Sequence, residues 1–174
     1  MSRKGFLISG IVAFVLIIAT YFYLGGLNAV EYTVERVSDY NLVGIHFQGK
    51  GDSTAIEEAF FEAKTFIEEG RLKGILTIVH YNDTTLADEE LKMFIGVKLE
   101  SGTADLPVNY ERLTIPASNA VRASIEAHNV VMPSPGTIES RIRKTAEEAN
   151  LQLQDFTIEQ YISANLLLID MPVR

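Results

Sequence analysis

The 174 residues contain no cysteine and no tryptophan, so no disulfide can staple the fold and no thiolate can bind a metal or attack a substrate. Histidine is scarce as well. His46, His80 and His128 stand far apart, none two or four residues from another, so the spacing of a zinc site is missing. Gly44, Gly49 and Lys50 match part of a phosphate-binding loop, but Gly51 stands where a Ser or Thr must reach magnesium. Neither a metal nor a cofactor is expected. Basic charge is short: 15 Lys and Arg face 23 Asp and Glu. Two of the basic residues and none of the acidic ones lie in the first thirty, leaving residues 31–174 with a formal charge of −10. A nucleic-acid reader presents a basic face to phosphate, so this balance favours a cationic or neutral partner and argues against nucleic acid.

Charge is also missing from Phe6 to Leu24 (FLISGIVAFVLIIATYFYL), and here the absence is informative. As a helix this run rises about 28 Å, close to the ~30 Å hydrocarbon layer of a bilayer. It is expected to span a membrane at residues 6–24 within an anchor segment 1–30. Arg3 and Lys4 precede the run and the next basic residue is Arg36, which places the amino terminus in the cytoplasm and the rest in the periplasm or outside the cell. Tyr21 and Tyr23 suit the outer interface. A cleaved signal fits less well, because Leu27-Asn28-Ala29 has Leu where a small residue is wanted. A buried core helix would carry a polar stripe, and this one has none.

Residues 31–174 suit one domain of α+β class, read as two units of the same order, 31–100 and 110–174. In the first, an extended stretch from Tyr32 to Phe47 leads to a helix with Ile56, Ala59, Phe60, Ala63, Phe66 and Ile67 on one face. Thr54 and Glu57 form a capping box and Gly70 a stop. Strands follow at Ile75–Tyr81 and Met93–Leu99, with the acidic Asp88-Glu89-Glu90 as a solvated helical turn between them. In the second, strand Glu111–Ala127 leads through Pro133-Ser134-Pro135-Gly136 to a helix with Ile138, Ile142, Ala146 and Ala149 on one side, then strands Phe156–Ile162 and Leu166–Met171. The pattern Thr-Ile-x-x-Tyr occurs at Thr77–Tyr81 and again at Thr157–Tyr161. This echo marks a duplicated strand-helix-strand-strand unit with pseudo-two-fold symmetry, antiparallel sheets and helices on one face.

Alternation divides the strand at 156–162 into two faces. Phe156, Ile158 and Ile162 are expected to pack on the helices, leaving Thr157, Glu159 and Tyr161 on an open face. The echo adds Thr77, Val79 and Tyr81 to that face. The candidate ligand-binding residues are therefore Glu159, Tyr161, Tyr81, Thr157 and Thr77, with Glu159 and Tyr161 the catalytic candidates if the protein is an enzyme. Arg122 and His46 are expected to be surface or structural.

The chain resembles the GyrI-like family of small-molecule-binding domains, which also serve as effector domains of bacterial multidrug-responsive activators. The resemblance rests on Ile78-Val79-His80-Tyr81-Asn82-Asp83 with Leu91–Val97, on Ile158-Glu159-Gln160-Tyr161-Ile162 and on the repeated element order. It implies a groove between the halves, lined by aromatic rings around an acidic residue that falls on Glu159, and suited to hydrophobic or cationic compounds. Thr84 replaces the family's usual Pro, and Asn129–Pro135 replaces its Gly-Pro-Tyr turn. A hydrophobic run stands where the activators carry a DNA reader. The leading expectation is a membrane-anchored binding module, sensor or sequestering protein. A hydrolase of reactive electrophilic compounds using Glu159 is the alternative, followed by a protein inhibitor or interaction module.

Overall fold

A computed structural model describes residues 3–26, 28, 30–101, 105–127 and 131–174, with side chains of the first helix described from Val12 onward. Leu27, Ala29, His128 and residues 129–130 of the loop noted above lie outside the described residues. The described residues form an α+β fold with three helices and one antiparallel sheet of eight strands in the order β1-β6-β8-β7-β3-β4-β2-β5. The elements are α1 (Arg3–Tyr23), β1 (Glu31–Arg36), β2 (Tyr40–Lys50), α2 (Thr54–Glu68), β3 (Gly74–Tyr81), β4 (Glu90–Leu99), β5 (Glu111–Ile115), β6 (Asn119–Glu126), α3 (Pro135–Glu148), β7 (Phe156–Ser163) and β8 (Leu166–Pro172). β3 and β7 pair antiparallel at the centre, and on each side of them the strands follow the same order outward.

Each long extended stretch foreseen from the sequence breaks into two strands. Val37-Ser38-Asp39 separates β1 from β2, and Pro116, without an N–H to offer a ladder, lies between β5 and β6. The break sends each leading strand to the other half: β1 pairs with β6, and β2 with β5. The two linkers hold each other, since Val37 N donates to Ser118 O and Ala117 N to Asp39 Oδ1, both at 3.0 Å.

α2 begins one residue from the expected cap. Ser53, rather than Thr54, accepts from Ala55 N, and Gly70 ends the helix with φ +72°, a conformation open to glycine without strain. Ala59, Ala63 and Phe66 form its buried stripe. α3 starts with Pro135 at its first turn behind Ser134 as cap and buries Ile138, Ile142 and Ala146. Ala149, expected on that stripe, is exposed and forms the C-cap. The segment at 88–90 forms no helix: Asp88-Glu89 is a turn and Glu90 opens β4.

Both helices cover the same face, because Tyr161 packs against the cores built around α3 and around α2. The opposite face is dry as well. Tyr40 on β2 donates to Asp170 on β8 at 2.7 Å, although four strand spacings separate them, about 19 Å in a flat sheet. The sheet therefore curls over on itself, and Tyr40, Leu42, Val79, Phe94, Ile115 and Ile158 fill the space enclosed. Gly44 and Gly96 face each other in the β2–β4 ladder, where a Cβ on either would run into the other strand's backbone.

This closure reverses the expected faces. Phe156 and Ile158 point into the enclosed core away from the helices, while Glu159 and Tyr161 lie on the helix side. Alternation separates two faces of a strand but does not say which one carries the helices. The larger apolar residues suited either side here because both sides are covered.

Among the described residues no helix is long and apolar enough to cross a membrane, so the expected span is not supported. The described part of α1 is apolar and uncovered, with Val12, Phe14, Val15, Leu16, Ile17 and Phe22 all more than half exposed.

Candidate functional site

The candidate site lies on the helix-bearing face where β3 and β7 meet. Position in the ladder decides which side chains share it. Ile78 sits opposite Glu159, His80 opposite Thr157 and Leu76 opposite Tyr161. Paired residues in an antiparallel ladder point to the same face, so these six belong together. Thr77 instead pairs with Gln160, Val79 with Ile158 and Tyr81 with Phe156, on the opposite face. Residues 80 apart thus land on opposite faces, and the Thr-Ile-x-x-Tyr echo is out of step by one residue with any face-preserving equivalence. A one-residue slip exchanges the two sides of a strand. The fold brings Glu159, Tyr161 and Thr157 together and sets Thr77 and Tyr81 apart from them.

His80 takes the place the echo gave to Tyr81. Its Nε2 lies 3.4 Å from Glu159 Oε2, and Tyr161 Oη donates to the same oxygen at 2.9 Å. Burial pushes the Glu159 carboxyl up, but the His80 imidazole and the Tyr161 hydroxyl outweigh it and hold the group below its ordinary value. Glu159 is therefore ionised at neutral pH. Burial, reinforced by the Glu159 charge, pushes the Tyr161 phenol far up and keeps it a neutral donor.

Phe60 on α2 meets the Tyr161 ring edge-on, with centroids 5.3 Å apart. On the far side of Tyr161 a cavity of about 580 Å³ runs between α2 and the start of β3, lined by Phe60, Lys64, Ile67, Leu76, Tyr161 and Ile162 among others. Tyr161 joins the two parts: its ring lines the cavity and its hydroxyl holds the carboxylate. A larger depression of about 690 Å³ at the junction of α1 with the domain, around Tyr23, Asn28, Glu126 and Ser163, lacks such a constellation. The geometry suits an aromatic-walled acceptor for a cation or an apolar body. No group of His, Cys, Asp or Glu among the described residues has the geometry of a metal site.

Sequence reasoning missed His80 and gave Phe60 only a core role. β3 reads as alternating Leu76, Ile78, His80, and a single polar residue closing an apolar face was the available signal. It needed the correct register to be used. Reasoning also missed Asp170, which is fully buried on the other face and accepts from Arg122 at 2.7 and 2.8 Å, Tyr40 at 2.7 Å and Gln160 at 2.9 Å. Lys98 extends the cluster by donating to Gln160 Oε1 at 2.8 Å. Arg122 is thus structural, as expected, and His46 sits at the surface 3.6 Å from Glu111.

No protein-family profile and no curated protein matches this chain. Solved structures do. The EcmrR–DNA complex aligns over 99% of this chain and 69% of that chain, with 14% identity and a TM-score of 0.63. The EcmrR C-terminal domain aligns over 83% of this chain and 98% of that one, with 15% identity and a TM-score of 0.56. A hydrolase from Listeria innocua aligns over 83% of this chain and 92% of that one, with 10% identity and a TM-score of 0.58. At these identities the likeness is one of fold alone.

Proposed function

We propose that the groove beside α2 on the helix-bearing face captures a bulky hydrophobic or cationic small molecule, with Glu159 as its charge anchor and Phe60 and Tyr161 as its aromatic wall. The observation that carries this reading is a largely buried carboxylate, held ionised and hydrogen-bonded to Tyr161, which with Phe60 lines a cavity of about 580 Å³. An aromatic ring over a cation contributes about 0.5–2 kcal/mol, more as water is excluded. Such a domain serves as a sensor or a sequestering module. Titration with a panel of lipophilic cations tests it: saturable binding is expected, weakened at least tenfold by Glu159→Gln. Absence of binding across the panel would sink the reading.

A second reading is hydrolysis of reactive electrophilic compounds, favoured by the fold likeness to the Listeria innocua hydrolase. An ionised Glu159 would then act as base toward water rather than as proton donor. Product that accumulates with time and disappears in Glu159→Gln would establish it, whereas stoichiometric capture without turnover supports binding alone.

Membrane attachment through residues 6–24, with the domain on the non-cytoplasmic side, belongs to the same proposal. It is supported by the uncharged run and by the exposure of the described apolar side chains of α1. Resistance of the full chain to alkaline extraction from membranes is expected, and release into the supernatant would refute it.

A further inference from the structure

Both contacts of the Glu159 carboxylate among the described residues fall on one oxygen. Tyr161 Oη and His80 Nε2 approach Oε2, at 2.9 and 3.4 Å, and neither contact uses Oε1. The Glu159 side chain keeps 19% of its surface exposed, and its hydrogen-bond partner Tyr161 lines the groove. His80 Nε2, by contrast, is enclosed and makes no hydrogen bond of good geometry among the described residues, lying 3.4 Å from the carboxylate. A proton on that nitrogen therefore has the Glu159 carboxylate as its nearest electrostatic partner.

We propose, on the reading that Glu159 anchors the ligand, that His80 is an internal rival for the carboxylate, so that a cationic ligand is captured with release of a proton from the imidazole. Protonated, His80 supplies Glu159 with its counter-charge and repels an incoming cation. Neutral, it leaves the carboxylate uncompensated, and the groove favours a permanent cation at Oε1. His80 thereby sets specificity: neutral apolar ligands bind alike in both states, and cations bind in one.

The surroundings leave this task to His80. On β7 the nearby ionisable group is Tyr161, which stays neutral. β8 places Ile169 opposite Glu159. On α2 Phe60 is uncharged, and Lys64 pairs with Glu68 at 3.7 Å along the cavity wall. On α3 Glu139 is held by Arg143 at 2.7 Å and receives Asn82 Nδ2 at 3.3 Å. Lys64 and Glu139 thus each have an opposite charge beside them, and imidazole is the side chain whose charge ordinarily changes between pH 5 and 8.

Binding of tetraphenylphosphonium, a permanent cation without a titratable proton, to the full-length chain at pH 5.5 and 7.5 tests this, with triphenylphosphine oxide as neutral control. About tenfold tighter cation binding is expected at pH 7.5, with the control unchanged. Calorimetry in two buffers of different ionisation enthalpy should read proton release at pH 5.5 without any substitution. His80→Gln should bind the cation equally at both pH values. Equal wild-type affinity at both pH values, or a pH dependence that survives His80→Gln, overturns the inference while leaving the groove intact. Absence of saturable binding at either pH, or full affinity in Glu159→Gln, overturns the groove reading and the inference together.

Discussion

Two neighbouring residues of β7, Glu159 and Gln160, open onto two polar clusters that differ in completeness. On the enclosed side Asp170 is fully buried, and four hydrogen bonds from Tyr40, Arg122 and Gln160 satisfy both of its oxygens. On the helix side Glu159 has both described contacts on one oxygen and keeps part of its surface open. A saturated buried carboxylate has no capacity left for a ligand and ties strands together. An unsaturated one beside a cavity keeps free acceptor capacity, which the proposed ligand would use. Burial of charge alone does not separate the two roles; the count of satisfied lone pairs does.

The largest expected effect comes from breaking the saturated cluster. Asp170→Ala leaves Arg122 half-buried without its partner and is expected to destabilise the fold by about 3–5 kcal/mol, read from the midpoint of chemical denaturation. A loss below about 1 kcal/mol would erase the structural side of the contrast. Gly96→Ala, which forces β4 away from β2 and so opens the curl over Asp170, is expected to cost about 3 kcal/mol by the same measurement. If the variant keeps wild-type stability, the curl does not depend on that close approach.

On the unsaturated side the effects move from stability to affinity. Glu159→Gln should weaken binding of a lipophilic cation by tenfold or more, about 1.4 kcal/mol, with a much smaller change in stability. That stability change should depend on pH. The Glu159 carboxyl is depressed in the folded state, so it stabilises the fold above its unfolded value, and the contribution is lost as pH falls through the folded one. The gap between wild type and Glu159→Gln should therefore be present at pH 6 and shrink by pH 3; a gap that widens on acidification would contradict the depressed carboxyl. Tyr81→Phe is the smallest change. On the far face from Glu159, it should leave cation affinity within about twofold and stability within ~0.5 kcal/mol.

Much of the fold was legible in the chain. The helix of Ile56, Ala59, Ala63 and Phe66 and that of Ile138, Ile142 and Ala146 follow a 3.6-residue period that admits few alternatives, and Gly70 and Pro135 mark ends that those residues favour chemically. Strands β3, β4, β7 and β8 lie where alternation and apolar content put them, within a few residues. The crossing of β1 and β5 to the opposite halves was hidden, because a three-residue break in a long extended stretch carries no information about its partner. Glu159 and Tyr161 were legible as a same-face pair by spacing alone. Their true neighbour His80 was not, since the echo of Tyr81 with Tyr161 offered a stronger local signal in the wrong register.

By itself the sequence determined the composition of the chemistry: an acidic domain without thiols, one carboxylate in an apolar strand, an aromatic two residues on, and an uncharged run near the amino terminus. It also determined which side chains of each strand stand together, because that periodicity is local. Only the tertiary structure decided that both faces of the sheet are covered, that the helices lie over Glu159 rather than behind it, and that His80 stands beside it. Those facts depend on strand register and on the curl that brings Tyr40 to Asp170. Both are set by contacts between residues far apart in the chain.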